Sequence, residues 1–439
     1  PETRHARWRG NACEQWFGVA SCRAARRTPV STDATEVEVR AIAAGGDGVA
    51  TLEDGRTVFV PRTAPGDRVR LRTLRLHKRF ARAEIGEILA HGAGRVTPPC
   101  PHYVRDRCGS CQLMHLSADA QRAAKGRIAG DALRRIGHLE IADPVVIASP
   151  TQLGYRAKVT FAVAGGRMGY HPLGQPDRVL DIRDCLLAEP AVRRLHQAVR
   201  SAVSLLPLDV TRVVFRRDRH EGLHVVVRTD GKDAWVKGKT LHGQLQRAGL
   251  TATIWWHPEG GAPRAVAGGS QPWPATVFEQ VHPVMGRMVR EAALHALGDV
   301  AGQHAWDLYA GVGETTIALV ARGATVESVE LDRRAVEQAE REGPAGPIRR
   351  AGLVEERIDE MRPPAVVITN PPRSGMEPVV TDALSRTTAR RIVYISCDAA
   401  TLARDIARLQ ATYAVSSVQA FDQFPQTAHL ECVALLERR

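Results

Sequence analysis

The sequence predicts an α/β protein whose C-terminal part, residues 273–439, forms a doubly wound, Rossmann-like parallel sheet. Two observations predict this fold: short β-branched segments alternate with helical ones, and a glycine-rich turn joins the first strand to its helix. The predicted strands are 305–309, 325–330, 366–370 and 392–396, and the predicted helices begin at 314 and span 334–341. Two further domains and a disordered or non-native leader, residues 1–33, are expected before this sheet.

The composition is that of a soluble globular protein and argues against a membrane protein or a secreted disulfide-rich one. The chain has 439 residues, of which 44% are hydrophobic and 25% charged, and no apolar run is long enough to cross a bilayer. We therefore expect no membrane association. The net charge of +12 suggests a polyanionic partner, although a basic host proteome explains it as well. Eight cysteines do not form a secreted disulfide scaffold, which favours the reducing cytoplasm.

Residues 34–90 are predicted to form a small β-barrel with one basic face. Strands at 36–40 and 57–60 are followed by the turn Pro65-Gly-Asp67, after which arginines alternate with apolar residues. The basic stripe consists of Arg68, Arg70, Arg72, His77, Lys78, Arg79 and Arg82. A solvated face explains this stripe, but small barrels with a basic face also commonly hold RNA.

Residues 91–272 are expected to form a mixed α+β central domain. It has helical periodicity at 117–137 and strand-like runs at 158–163 and 223–227. Arg156 and Lys158 could contact phosphates or serve only as surface residues. The domain also contains a group of cysteines: Cys100, Cys108, Cys111 and Cys185. Four thiols can bind a tetrahedral zinc ion or a four-iron cluster, and their spacing does not separate the two.

The turn Asp307-Leu-Tyr-Ala-Gly-Val-Gly313 indicates a nucleotide pocket at the end of the first strand of the C-terminal sheet. Its glycines let backbone approach a ligand, and Glu330, at the end of the next strand, can accept hydrogen bonds from both ribose hydroxyls. Glu314 at the helix start would repel the pyrophosphate of a dinucleotide. S-adenosylmethionine carries a sulfonium and an amino group, so it is favoured over NAD.

Two later strand ends carry candidate reacting residues. Asn370-Pro-Pro372 is typical of methyltransferases, although two prolines also simply terminate a strand. Cys397 follows the strand 392–396 at the edge where ligands bind, whereas a lone cysteine is more often part of a core. A thiolate there could add to uracil C6 and make C5 nucleophilic, so we expect the helix start near 399–402 to lower its pKa. Glu431 is a candidate base for the C5 proton.

With these residues the chain resembles the RNA uracil-5-methyltransferase family. The resemblance covers nearly the whole chain, from the barrel segment to Leu436. Its most specific segments are 393–405 and Thr427-Ala-His-Leu-Glu431, and residues 43–49 and 60–67 resemble a TRAM domain, an OB-like RNA-binding module.

The resemblance implies a class I methyltransferase domain with Cys397 as nucleophile and Glu431 as proton acceptor. It implies that the methyl donor S-adenosylmethionine is contacted by Gln280, Tyr309, Glu314, Glu330 and Asn370. Because TRAM-containing members that methylate 23S ribosomal RNA carry a [4Fe-4S] cluster, it also implies that Cys100, Cys108, Cys111 and Cys185 hold one, in a structural or RNA-folding role.

Some positions depart from the family pattern. Asn370 replaces an aspartate, and Glu314 and His282 each replace an asparagine. An amide oxygen can still accept the uracil N3 proton, though without charge. Two alternatives follow: an amino methyltransferase that uses Asn370-Pro-Pro372, or a non-catalytic iron-sulfur RNA-binding protein. A monomer without an obligate protein partner is expected.

Overall fold

The computed structural model describes residues 35–269 and 277–439. The predicted leader, residues 1–33, lies outside the described residues, as do Cys13 and Cys22. Among the helices of the described part, none combines the length and the apolar character needed to cross a membrane.

The N-terminal region is a β-barrel, as predicted. Its strands are β1 (Glu36–Glu38), β2 (Ala41–Ile42), β3 (Gly48–Thr51), β4 (Thr57–Val60), β5 (Arg68–Leu76) and β6 (Phe80–Ala90). They pair in the order β1-β5-β6-β4-β3-β2. Because residues 39 and 40 join the two edge strands directly, the sheet closes on itself. Alternate apolar residues such as Val37, Val58 and Val69 fill its interior.

The central region contains a second sheet. Its elements are α1 (Pro101–Val104), α2 (Ala118–Arg135), β7 (Val146–Ile147), β8 (Lys158–Ala164), β9 (Arg167–Gly169), α3 (Pro190–Ser201), β10 (Val210–Arg217), β11 (Leu223–Thr229), α4 (Gly238–Arg247), β12 (Ala252–Pro258) and β13 (Arg264–Ala267). The strands pair in the order β13-β12-β11-β10-β8-β9, and only β11 and β12 run parallel. Helices α3 and α4 cover one face of the sheet.

The C-terminal region has the predicted alternation of strands and helices. Its elements are α5 (Pro283–Leu297), β14 (His304–Leu308), α6 (Glu314–Ala321), β15 (Thr325–Glu330), α7 (Arg333–Glu342), β16 (Ile348–Ala351), α8 (Val354–Arg357), β17 (Val366–Thr369), α9 (Pro378–Arg386), β18 (Arg391–Ser396), α10 (Ala399–Leu409), β19 (Tyr413–Phe421) and β20 (Glu431–Arg438). The strand order is β16-β15-β14-β17-β18-β20-β19-β7. Strands β14 to β18 are parallel, and β20 is antiparallel to both neighbours.

Residues of the predicted central region are divided between these two sheets. Strand β7 pairs with β19 as the edge strand of the C-terminal sheet, and α2 packs against α10. Residues of α2 and β7 share one hydrophobic core with β14, β17 and β18. The C-terminal sheet is therefore completed by residues that precede β14 by more than a hundred positions.

Candidate active site

The carboxyl edge of the parallel strands begins with the turn between β14 and α6. Tyr309 has a φ of 62°, a conformation that a bulky side chain rarely adopts, and Gly311 and Gly313 have φ values of 56° and 77°. Thr316 Oγ1 donates to Asp307 Oδ2 at 2.6 Å, which ties the start of α6 back to the strand. Burial raises the pKa of Asp307 to about 7. The glycines thus occupy a turn with left-handed backbone at the end of β14, and the nucleotide pocket stays a prediction.

Glu330, at the end of β15, supports this turn. Its Oε2 accepts from the Gly311 amide and its Oε1 from the Asp332 amide, both at 2.8 Å. A carboxylate offers about four lone-pair directions, so it retains the capacity to accept from ribose hydroxyls. Burial raises the pKa of Glu330. Glu330 therefore lies at the end of β15, as the sequence predicted, and its role in binding the ribose stays a prediction.

The other predicted donor contacts lie around the same edge. Arg290 Nη1 donates to Glu314 Oε2 at 2.7 Å, so the acid that departs from the family pattern is neutralised by α5. Gln280 Oε1 accepts from Gln423 Nε2 at 3.1 Å. Asn370 follows β17 and donates its backbone N–H to Leu308 O at 3.2 Å; its side chain makes no hydrogen bond to any described residue.

The two predicted reacting residues come from neighbouring strands. Ser396 of β18 lies opposite Cys432 of β20 in the antiparallel register. One step further along each strand, Cys397 therefore faces Glu431. Cys397 is half-buried and Glu431 is buried. The sheet brings together a thiol and a carboxyl group that are 34 positions apart in the sequence.

The expected lowering of the Cys397 pKa is wrong for this structure. Burial, reinforced by the nearby Glu431, raises the pKa of the thiol to about 12. Helix α10 does begin at Ala399, but Asp398 caps it by accepting from the amides of Ala400 at 3.0 Å and Thr401 at 2.9 Å. The free amides that could have stabilised a thiolate are therefore already bound to a carboxylate.

Burial also governs the carboxyl group across from the thiol. The pKa of Glu431 is raised to about 8, and the positive charge of Arg373 opposes this shift. A carboxyl group with such a pKa exchanges its proton near neutral pH, as a general base must.

Arg373 is a site residue that the sequence reasoning missed. It lies three positions after Asn370, and its charge and hydrogen bond favour the thiolate of Cys397. Its Nη2 donates to His429 Nδ1 at 3.3 Å, and burial lowers the pKa of that histidine to about 3, so the ring is neutral. The signal was its place directly after Asn370-Pro-Pro372, at the edge where ligands bind.

The segment before Glu431 is held by the central region. Gln426 has a φ of 71°, and its carbonyl oxygen accepts from the amides of Gln112 at 3.1 Å and Leu113 at 3.0 Å. Tyr155 Oη donates to Pro425 O at 2.9 Å. Below the loop, Lys125 and Asp422 form an ion pair with both side chains fully buried. These contacts fix the path by which the chain reaches Glu431.

His282, the third departure from the family pattern, packs beside these contacts. Its ring stacks on that of Tyr155 with centroids 4.7 Å apart, and its Nε2 lies 2.9 Å from Ser149 Oγ. Burial lowers the pKa of His282 to about 4, so its ring is neutral. The substituted residue is thus accommodated as a packed, hydrogen-bonded side chain.

The structure brings the four predicted ligand cysteines together. Cys100, Cys108, Cys111 and Cys185 line one small cavity, whose other walls include Tyr103, Met114 and Tyr170. Burial raises the pKa of Cys108 to about 12 and also raises those of Cys111 and Cys185.

The donor set of this cavity suits zinc or an iron-sulfur cluster, because both take thiolate ligands. Within residues 35–269 and 277–439, however, no group of three or more His, Cys, Asp or Glu side chains is arranged to hold a metal ion. The chemistry of the four residues therefore fits the predicted cluster, while the ligand geometry of a bound metal is not present.

The basic stripe of the barrel is largely paired. Arg70 forms ion pairs with Glu36 and Glu87, and Arg72 pairs with Glu84. Further pairs in this region join Arg68 to Glu36, Arg82 to Asp47 and Arg107 to Glu84. The acids that pair with the arginines of β5 lie on its neighbours β1 and β6, so the alternation of arginines along β5 did not reveal them.

Comparisons with known proteins show which families and folds the chain is similar to. The family described as tRNA (Uracil-5-)-methyltransferase matches residues 352–439, and the TRAM domain family matches residues 33–85. The 23S rRNA (uracil(1939)-C(5))-methyltransferase RlmD of Chromohalobacter salexigens is 34% identical over 451 residues, covering 94% of this chain and 91% of that protein. The RlmD protein of Nitrosospira multiformis is 32% identical and covers 90% of this chain and 96% of its own.

A solved structure shares the fold. The Pyrococcus abyssi tRNA (uracil-54, C5)-methyltransferase, in complex with S-adenosyl-L-homocysteine, has a TM-score of 0.70 and 22% identity. The match covers 91% of this chain and 99% of that one. Taken with the RlmD relatives, it confirms the predicted Rossmann-like methyltransferase fold and the TRAM domain. This chain belongs to the family of S-adenosylmethionine-dependent RNA uracil-5-methyltransferases.

Proposed function

We propose that this enzyme methylates C5 of a uridine in 23S rRNA, with Cys397 as nucleophile and Glu431 as the base that removes the C5 proton. One observation carries the proposal. Cys397 and Glu431 face each other across β18 and β20, at the sheet edge that also carries the turn after β14. C5 methylation requires a nucleophile that can reach C6 and a base that can reach the proton on the adjacent C5.

The thiol acts first. Its Sγ adds to C6 of the uracil ring, and the electron pair of the C5–C6 bond moves so that C5 becomes nucleophilic. Because burial raises the pKa of Cys397 to about 12, the thiolate must form with help. Arg373 supplies that help, since its charge stabilises the anion beside it.

Glu431 acts last. After C5 has gained the methyl group it still carries its hydrogen, and the carboxylate accepts this proton. The electron pair of the C–H bond restores the C5–C6 double bond, and the C6–Sγ bond breaks to release Cys397. A pKa of about 8 suits this task, because the group is neither too weak a base nor always ionised near neutral pH.

The methyl donor would be held by the turn of Asp307–Gly313 and by Glu330, Gln280, Tyr309 and Glu314. When bound, S-adenosylmethionine supplies an electrophilic methyl group on a sulfonium. Glu314 is already paired with Arg290, so it adds little net negative charge beside this cation. Asn370 would turn its unbonded amide toward the substrate and accept from uracil N3. The choice of 23S rRNA is supported by what the RlmD relatives are named to act on.

Two measurements test the reaction. Purified protein, S-adenosylmethionine and [5-³H]uracil-labelled 23S rRNA transcript should release tritium to water, because C5 loses its original hydrogen. Nucleoside mass spectrometry of the same RNA should reveal 5-methyluridine. N6-methyladenine, or retention of all tritium, would contradict the proposal.

We also propose that Cys100, Cys108, Cys111 and Cys185 hold a [4Fe-4S] cluster with a structural role. The support is that all four line one cavity among aromatic and apolar side chains, and a cluster takes four such ligands. Protein purified without oxygen should contain iron and acid-labile sulfide in equal amounts, about four of each per chain. One zinc ion per chain without sulfide would contradict this assignment.

A further inference from the structure

A groove of about 480 Å³ lies on the central region, beside α1 and β9. None of its lining residues belongs to the candidate active site. Its walls carry four arginines, Arg105, Arg167, Arg178 and Arg183, and all four are exposed. These arginines come from separate segments of the chain, so no basic run in the sequence marks them.

The acidic residues of the groove neutralise these arginines only in part. Three aspartates line it, and two of them form ion pairs with arginines outside the lining, Asp181 with Arg200 and Asp184 with Arg193. The hydrogen bond from Arg200 lowers the pKa of Asp181, and the charge of the groove's nearby Arg183 adds to this shift. Asp106 only hydrogen-bonds to His102, whose Nε2 accepts from the Arg183 amide, so its negative charge remains in the groove.

The arginines, by contrast, keep their charge toward solvent. None of the four forms an ion pair with any residue in the described part of the chain. Arg178 is near only an uncharged partner, with its Nη1 3.5 Å from Gln175 Oε1. Four guanidinium groups outnumber the one aspartate of the lining, Asp106, that forms no ion pair with an arginine, so the concave surface favours a ligand with several negative charges.

The two walls of the groove are joined to each other by a hydrogen bond. The Arg183 amide donates to His102 Nε2 at 3.1 Å, which joins the two walls. Asp184 lines both this groove and the cysteine cavity, and the wall residue Pro101 follows Cys100 directly. Arg105 and Arg183 therefore project from segments that also carry residues of the cysteine cavity.

The lining chemistry also indicates which part of a nucleic acid fits. Apart from His102, whose ring is buried, no aromatic side chain lines the groove, so bases have no exposed ring on which to stack. Guanidinium forks match the geometry of phosphate oxygens. The groove thus suits a sugar-phosphate backbone and not the bases.

We infer that this groove binds backbone phosphates of the RNA substrate at a distance from the reacting nucleotide. The inference rests on the proposed function, because it assigns the groove to the RNA that the enzyme methylates. Such contacts fix the register of the RNA on the protein without reading its sequence. They add affinity before the chemical step and do not take part in it.

The test compares a groove variant with a control of equal charge change. Arg167→Ala/Arg178→Ala removes two groove charges. Arg333→Ala/Arg386→Ala removes two exposed arginines that pair with Glu337 and Asp359 in the C-terminal region. Thermal unfolding of each protein checks its fold. The probes are a 23S rRNA transcript and poly(A), each titrated at several salt concentrations.

The groove variant should bind both RNAs roughly tenfold more weakly than wild type, since two exposed charge contacts are lost. The slope of log affinity against log salt should shrink by about two, one unit for each lost phosphate contact. The KM for the transcript should rise while kcat at saturating RNA stays that of wild type. The control should match wild type in all three measurements.

Unchanged RNA affinity and salt slope in the groove variant would overturn the inference, and continued methylation would leave the proposed function standing. Polyglutamate serves as a further probe. If the groove variant kept the RNA affinity of wild type but no longer bound polyglutamate, the inference would be overturned in favour of an acidic protein partner. If wild type bound RNA through the groove but formed no 5-methyluridine, the proposed function would fail instead.

Discussion

The carboxyl edge of the C-terminal sheet and the N-terminal barrel both carry many ionisable side chains. The edge buries them, whereas the barrel exposes them in ion pairs. At the edge, Asp307, Cys397 and Glu431 have pKa values that burial raises. On the barrel, Arg70 and Arg72 are exposed and paired with acids of neighbouring strands.

The difference distinguishes side chains suited to proton exchange in a reaction from side chains that keep the surface solvated. Burying an ionisable group costs free energy, so a fold keeps such groups where their proton exchange is used. An exposed ion pair costs little and contributes about 0–1 kcal/mol to stability. A basic stripe in the sequence is therefore weaker evidence of function than a buried acid facing a thiol.

The strongest test of the edge is Cys397→Ala. We expect methylation of the 23S rRNA transcript to fall by about 10⁴-fold or more, because no other group can form the bond to C6. The neighbouring buried thiol provides a matched control: Cys432→Ala should keep activity within a few-fold. Equal losses in both variants would show that packing, and not nucleophilicity, is what matters.

Glu431→Gln should come next. The amide preserves shape but cannot take the C5 proton, so tritium release should fall by about 10²- to 10⁴-fold. A protein–RNA adduct that survives denaturing electrophoresis should accumulate. In wild type, release should increase with pH through about 8 as the carboxyl group ionises, and the variant should lack that inflection. Glu437→Gln, in the same strand but partly exposed, paired with Arg391 and six residues from Glu431, should behave as wild type.

Glu330→Gln should have a smaller effect. Loss of one charged acceptor for the ribose costs about 1.5–3 kcal/mol, or roughly ten- to a hundredfold in donor affinity. Calorimetry with S-adenosylhomocysteine measures this directly. The exposed Glu337→Gln serves as comparison. Unaltered binding in Glu330→Gln would remove this residue from the donor site.

On the barrel, the smallest effects are expected. Arg70→Ala/Arg72→Ala should change RNA affinity and the free energy of unfolding by less than about 1 kcal/mol, because both side chains are exposed and already paired. Lys78→Ala/Arg79→Ala, whose side chains form no ion pair among the described residues, should weaken RNA binding more. Filter binding and urea unfolding measure the two quantities. If Arg70→Ala/Arg72→Ala weakened RNA binding more than Lys78→Ala/Arg79→Ala, RNA would have to displace the acids that pair with the stripe.

Local patterns in the sequence predicted most of the fold. Strand and helix periodicity located β14, β15, β17 and β18 but not the edge strand β16, and Gly311 and Gly313 predicted the turn after β14. Position at a strand end was also sufficient to relate Cys397 to the ligand edge. These features depend on neighbours in the sequence, so they can be recognised without knowledge of the tertiary structure.

Features that depend on distant residues were missed or wrong. The role of Arg373 beside Cys397 and the acids that neutralise β5 arise only when strands pair. The Cys397 pKa was predicted in the wrong direction because a helix start was considered without its cap. Asp398, an N-cap residue directly after the thiol, was visible in the sequence and could have corrected it.

The contacts between the central region and the loop before Glu431 affect the order in which the parts of the chain can fold. Gln121 and Gln426 are 305 positions apart and hydrogen-bond side chain to side chain, and β7 completes the sheet beside β19. Contacts of such long range form late and slowly in folding. During synthesis the cysteine-bearing segments leave the ribosome long before the loop that they will grip. The barrel and the central sheet are therefore synthesised well before the loop that places Glu431, the proposed base, can take its position.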